Sequence, residues 1–255
     1  HGHLLHGYFS GWKTSLVISI EKFLAKRTHF LVAIGNEVKE DLISAGIGSP
    51  AQYKVFFPGL PTPHTAGKAE LRQKLGLDAA KIYCTFVGRL TQIKRPDRLL
   101  DIASAMQARG VALEFLVAGE GELFAQSQAR AMAEKLPVTF LGWRKDIDDL
   151  FAASDIAILT SDNEGIPLTL IQAAQAGLPI IAPKVGSISD IVENDVTGFL
   201  TSPAPGAMAS ALSALATDEK LRIQLGGAGK KRASELFSLE RMLRDHTEIY
   251  HLAHR

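Results

Sequence analysis

One cysteine, Cys84, set in the apolar run IYCTFV, leaves the chain without the partner a disulfide needs or the ligands of a zinc site, and a reducing cytoplasm fits this usage. Long apolar runs are missing too: none approaches the roughly 18 residues of a membrane span, and no signal-peptide pattern precedes the first expected helix. An excess of one charge is also absent. Lys plus Arg number 28 against 27 Asp plus Glu, a net charge of +1, which excludes nucleic-acid binding through a broad basic surface and makes any anion site local. No repeat or low-complexity tract appears. What remains is a chain of 255 residues, 46% hydrophobic and 22% charged, able to bury one large core or two smaller ones. It opens on HGHLLHG rather than on Met, in what reads as continuing structure, so a piece of a longer protein is expected.

From residue 80 onward, short β-branched runs alternate with amphipathic helical stretches. The runs are IYCTFV (82–87), LEFLVA (113–118), VTFL (138–141), IAIL (156–159) and PIIA (179–182). Each is apolar throughout rather than alternating, as expected of parallel strands covered by helices on both faces. This predicts a Rossmann-like α/β domain over 80–237. Before it, a helix from about Gly11 to Arg27, a strand at 30–34, a helix at 36–45 and a strand at 53–57 are too few for a domain, so 1–57 reads as the end of a preceding α/β unit. The stretch PGLPTPHTAG, within an expected linker at 58–79, carries three prolines and two glycines. A last helix over 238–255 follows a capping serine, with Leu239, Met242, Leu243, Ile249 and Tyr250 as its apolar positions.

Two segments carry chemistry at the expected carboxyl edge of the sheet, where ligands of open α/β folds bind. In FVGRLTQIKRP, Gly88 permits the turn, and Arg89 and Lys94 follow it. An arginine fork and a lysine point charge suit a diphosphate; solvated loop charges are the plainer alternative. In DNEGIPLTL, Pro167 is expected to begin a helix whose free N–H groups, at Leu168 and Thr169, face the same edge. Glu164 lies before that helix and Gln172 two turns in, roughly 12 Å away along a helix axis, about the span from a hexose across a diphosphate to a ribose.

VGRL followed by Lys94, SDNEGIPLTL followed by AAQAGLPIIA, and VENDVTGFL, in this order and spacing, resemble the nucleotide-sugar half of the retaining family-4 glycosyltransferases of GT-B fold. The likeness runs over essentially the whole chain, with 1–57 as the end of the acceptor domain and the final helix as the one that crosses back to it. It implies that Arg89 and Lys94 hold the donor diphosphate beside Gly88, and that Glu164 binds hydroxyls of the transferred sugar. The backbone of Gly165, Ile166, Pro167 and Leu168 would contact sugar and phosphates, and Trp143 and Arg144 would border the nucleobase. His1 aligns with a histidine near the sugar and is the acceptor-side candidate. The implied activity is retaining transfer of a hexose from a nucleotide-diphosphate sugar, with a UDP-sugar favoured, to a saccharide or lipid-linked acceptor. This belongs to polysaccharide or cell-envelope biosynthesis in the cytoplasm or at the inner face of the plasma membrane, without metal or cofactor. A UDP-sugar 2-epimerase of the same fold and a non-catalytic nucleotide-sugar-binding fragment are the alternatives, and the fragment alone is expected to show little transfer.

Position 172 departs from the family pattern, which usually places a second glutamate there to grip the ribose hydroxyls. Gln172 keeps the shape and loses the charge, a change of about 1 kcal/mol between charged and neutral hydrogen bonding, so weakened donor binding is expected and Gln172→Glu should strengthen it. Four other features read as structural. Asp146-x-Asp148 has a metal-binding spacing, but Ile147, Leu150 and Phe151 make it the acidic first turn of an amphipathic helix. His1, His3 and His6 have no second shell of carboxylates in sequence. Gly119-Glu-Gly121 lacks the third glycine of a dinucleotide fingerprint. Trp12, Leu16 and Phe23, flanked by Lys13, Lys22, Lys26 and Arg27, form a basic amphipathic helix; packing with a solvated basic face is favoured over contact with an anionic membrane.

Overall fold

The computed structural model describes residues 11–253. Its first part is a helix α1 (Gly11–Ala25), strand β1 (Leu31–Ala33), helix α2 (Asn36–Ser44) and strand β2 (Tyr53–Val55), the two strands pairing in parallel. Their small core is Ala33, Val38 and Tyr53, with the Tyr53 hydroxyl donating to the Ile47 carbonyl at 2.9 Å. The apolar stripe of α1 packs on no other described element. Trp12, Leu16, Ile20, Phe23 and Leu24 are all at least half exposed, and Arg27 stacks over the Phe23 ring at 3.9 Å. A two-stranded sheet offers too little surface to bury that stripe, and no other described element covers it.

The second part is a parallel sheet with strands β3 (Tyr83–Val87), β4 (Glu114–Ala118), β5 (Val138–Gly142), β6 (Ile156–Ile158), β7 (Ile180–Pro183) and β8 (Gly198–Thr201), in spatial order β5-β4-β3-β6-β7-β8. Five strands match the apolar runs of the sequence; β8, four residues at the sheet edge, is an addition, and its Gly198 sits against β7 so closely that a Cβ there would lie 2.2 Å from the Ile180 carbonyl oxygen. Helices cover both faces, as the continuous burial of β3, β4, β6 and β7 requires. α4 (Pro96–Ala108), α5 (Phe124–Ala133) and α9 (Pro205–Thr217) pack together, and α3 (Lys68–Lys74), α6 (Ile147–Ala153) and α7 (Leu168–Gln175) pack together. The chain runs outward from β3 to β5, returns through α6, and runs outward the other way from β6 to β8. The order therefore switches between β3 and β6.

Residues 68–74, inside the expected linker, fold as α3 and bury Leu71 and Arg72 against the sheet domain. Arg72 donates to the Ala153 carbonyl and, at 2.6 Å, to Asp155, whose carboxylate also accepts from Lys68 and from the Tyr83 backbone. After the short helix α8 (Ile188–Ile191) and the long α10 (Glu219–Leu236), α11 (Leu239–Ala253) starts under the Ser238 hydroxyl, which accepts from the Arg241 N–H at 3.3 Å. α11 returns to the connection between the two parts. Met242 receives the Gly59 N–H, Leu60 bonds the Phe237 carbonyl, and Phe56 stacks on His246 with ring centroids 5.0 Å apart. Leu239, Met242 and Ile249 are half-buried there, whereas Leu243 and Tyr250 are exposed. No helix among the described residues is long and apolar enough to cross a membrane.

Candidate active site

The switch between β3 and β6 opens a crevice at the carboxyl ends of both strands, the place where open α/β sheets bind ligands. β3 delivers Gly88 and Arg89, followed by a one-turn 3-10 segment, Gln92–Lys94. Gly119, with φ at +135°, brings the end of β4 so close that a Cβ on it would lie 2.0 Å from the Gly88 carbonyl oxygen. Arg89 is exposed and makes no ion pair among the described residues. It is a cation free to meet a ligand.

β6 delivers the other wall. Lys94 Nζ donates to Glu164 Oε1 at 2.5 Å, and the buried Ser161 hydroxyl donates to the same oxygen at 2.6 Å. The pair is largely shielded from water, with side-chain exposures of 19% for Lys94 and 9% for Glu164. Lys94 keeps two further N–H donors and Glu164 its second oxygen. The two residues expected to grip phosphate and sugar separately are therefore joined, and the site presents a lysine already held in place by the acid beside it.

Four residues that the sequence reading did not single out fix this geometry. The Thr160 hydroxyl donates to the Lys94 carbonyl at 2.8 Å, and the Asp162 N–H to the Ile93 carbonyl at 2.9 Å. Arg98, buried in the first turn of α4, donates to the Thr160 carbonyl at 2.5 Å and to Asp162 Oδ1 at 2.6 Å. Arg95, at φ +54°, clamps Asp97 and Asp162. Burial raises the Asp162 carboxyl, yet the hydrogen bonds from Arg98 and Arg95 hold it below the ordinary carboxylate range. PDR and SDN are visible motifs, but the more than sixty residues between them hide their pairing.

The loop from Glu164 to Pro167 is held from behind. The Ser187 N–H donates to the Gly165 carbonyl at 3.1 Å, and Gly186, at φ +50°, leaves no room for a Cβ, which would lie 1.7 Å from the Glu164 carbonyl oxygen. Ile166 and Pro167 are buried. α7 begins at Leu168, with Pro167 as its N-cap, one residue later than expected; the Leu170 N–H bonds the Pro167 carbonyl, so the N–H groups of Leu168 and Thr169 precede that bond. Because Glu164–Pro167 are not helical, the helical rise cannot fix the distance from Glu164 to Gln172. From Leu168 to Gln172 it gives about 6 Å along α7.

Gln172 has a partner: its Nε2 donates to Asp148 Oδ1, in the first turn of α6, at 3.0 Å. This revises the expected gain from Gln172→Glu, which would set two carboxylates against each other. At the end of β5, Trp143 is 69% exposed and Arg144 is fixed by Asp146 at 2.5 and 2.9 Å. The Arg144 hydrogen bonds hold the Asp146 carboxyl below its ordinary value. Asp146 is thus an ion-pair partner at a helix start, and no cluster of metal-ligating residues occurs among the described residues. His1 lies outside them. The two parts of the chain meet beside the Glu164 loop, where Asp190 accepts from the Asn36 N–H at 2.7 Å and the Asn36 side chain at 2.6 Å.

The comparisons with known proteins agree on the fold. Among solved structures, Anabaena HepE in complex with UDP-glucose superposes with a TM-score of 0.82 at 25% identity, covering 96% of this chain and 70% of that one. TarM of S. aureus, in complex with Fondaparinux, alpha-GlcNAc-glycerol and UDP, superposes at 0.81 with 17% identity, covering 96% and 49%, which speaks for the fold alone. The architecture is the GT-B type. Among curated proteins, the Escherichia coli UDP-Gal:alpha-D-GlcNAc-diphosphoundecaprenol alpha-1,3-galactosyltransferase is 31% identical over 78% of this chain and 55% of its own length. The D-inositol 3-phosphate glycosyltransferase of Rhodococcus jostii is 32% identical over 88% and 52%. The chain thus spans about half the length of these relatives. The model of the family described as glycosyl transferases group 1 matches residues 67–232, which include every site residue described above on β3, β5, β6, α6 and α7, and the chain belongs to that family.

Proposed function

We propose that this chain carries the donor site of a glycosyltransferase that moves a hexose from a UDP-sugar to a saccharide or lipid-linked acceptor with retention. The observation that carries the proposal is the convergence, at the strand-order switch, of Arg89, which has no ion-pair partner among the described residues, the Lys94–Glu164 pair and the start of α7. The UDP-Gal-dependent galactosyltransferase and the UDP-glucose complex among the proteins named above support the choice of a UDP-sugar.

In this proposal, Arg89, the remaining N–H donors of Lys94 and the N–H groups of Leu168 and Thr169 bind the diphosphate. They stabilise the charge that grows on it as the bond between the anomeric carbon and the phosphate oxygen breaks. The free oxygen of Glu164 accepts from a hydroxyl of the sugar. The acceptor hydroxyl attacks the anomeric carbon from the face the diphosphate leaves, and a departing phosphate oxygen takes its proton. These cations provide the positive charge the leaving group needs, which is the ground for reading the transfer as metal-independent.

Calorimetric titration of UDP-, GDP- and ADP-sugars into the chain tests the reading. UDP-sugars are expected to bind most tightly, without added metal. No binding of any of them would overturn it. Conversion of a UDP-sugar into its epimer without acceptor would replace transfer by epimerisation.

A further inference from the structure

Three acids occupy the start of α6, and their partners differ. Asp146 is bonded to Arg144, and Asp149 to Lys74 at 2.8 Å. Asp148, between them, has no cation among the described residues; its neighbour is the neutral carboxamide of Gln172. A half-buried carboxylate matched only by an amide keeps its negative charge and acceptor capacity for something else. The pair also has a direction. With one N–H of Gln172 committed to Asp148 Oδ1, the Gln172 Oε1 and the second Asp148 oxygen remain as acceptors on one hydrogen-bonded pair, which suits two hydroxyl donors on neighbouring carbons.

The location narrows the ligand. Leu168 and Gln172 share one face of α7, four residues apart, and Leu168 is 46% exposed at its start. A ligand with its diphosphate at the start of α7 therefore meets Gln172 and Asp148 about one helical turn farther on, and exposed Trp143 directly follows β5, five residues before Asp148 in the chain. The chemistry wanted there is a vicinal diol between a diphosphate and a flat ring, and a ribose is that group.

We propose that Asp148 is a donor-binding residue: with Gln172 it forms a composite acceptor for the ribose diol, and the negative charge of this subsite resides on α6 rather than on α7. The inference rests on the donor-site reading above. In this arrangement the neutral residue at 172 orients the neighbouring acid and leaves a negative charge in place beside α7.

The test is titration of UDP and 2′,3′-dideoxy-UDP into wild type, Asp148→Ala, Asp148→Asn and Asp149→Ala. Wild type is expected to favour UDP about tenfold, the scale of one charged hydrogen bond. Both Asp148 variants should bring that preference to about twofold or less, while Asp149→Ala keeps it. Gln172→Glu should bind UDP several-fold more weakly than wild type, and Gln172→Glu combined with Asp148→Asn should recover the loss, because one carboxylate and one amide are restored. An unchanged diol preference in the Asp148 variants, or tighter binding by Gln172→Glu with Asp148 in place, would overturn this inference alone. Wild type that binds neither UDP nor any nucleotide sugar would overturn the donor site itself, and the inference with it.

Discussion

The two polar pairs beside α7 hold their charges in opposite ways. At its start an acid, Glu164, is bonded to a cation, Lys94; one turn into the helix an amide, Gln172, is bonded to an acid, Asp148. The first pair is nearly neutral and braced on every side by Ser161, Thr160, Arg98 and Gly186. The second carries net negative charge and rests on a single hydrogen bond. Rigid neutrality suits the place where a sugar must be oriented and a phosphate charge received, and an acceptor-rich end suits hydroxyl donors. The difference shows how a site can keep the charge distribution it needs while changing which residue bears the charge.

Breaking the first pair should have the largest effect. Lys94→Ala leaves the shielded Glu164 carboxylate with only Ser161 and removes a phosphate ligand, so a loss of about 3 kcal/mol in unfolding free energy and more than tenfold in UDP affinity is expected, read by denaturant melts and calorimetry. Gly186→Ala forces a side chain into the Glu164 carbonyl at a left-handed backbone position. It should destabilise by about 2 kcal/mol and lower sugar-nucleotide affinity, whereas the same change at Gly206, where a Cβ meets nothing within 4 Å, should do neither. Arg98→Lys keeps the charge but cannot fork between the Thr160 carbonyl and Asp162, so a loss of about 1 kcal/mol with a several-fold weaker donor affinity is expected, without any direct ligand contact removed.

The smallest effect belongs to Asp146 at the far end. Its carboxyl titrates lower in the folded chain than in the unfolded one because Arg144 bonds it. Its contribution is therefore fully present above the ordinary aspartate value, about 3.9, and is lost as pH falls through the lower folded value. Asp146→Asn should cost about 0.5 kcal/mol at neutral pH, and in urea melts that difference from wild type should vanish at the acid end. A difference that grew on acidification would contradict the assignment.

The sheet was legible in the sequence, because buried parallel strands are written as continuous apolar runs, and so was the position of the candidate residues at its edge: Gly88 and Arg89 directly follow β3, and Glu164 and Pro167 lie in the loop after β6. β8 was not, since GFLT is short and its Gly198 reflects a close backbone approach rather than a propensity. Nor were the pairings of Arg98 with Asp162 or Gln172 with Asp148, each made by side chains more than twenty residues apart. The exposed stripe of α1 shows the same limit from the other side: its periodicity declares an apolar face, and only the structure shows that no described element covers it.

The most direct test is calorimetric titration of UDP into wild type and Arg89→Ala. Arg89 is exposed and has no ion-pair partner among the described residues, so its removal should leave the melting temperature unchanged. The account predicts that wild type binds UDP and that Arg89→Ala binds it about tenfold more weakly or worse. Equal affinity in the two proteins would show that the diphosphate is held elsewhere and would contradict the account.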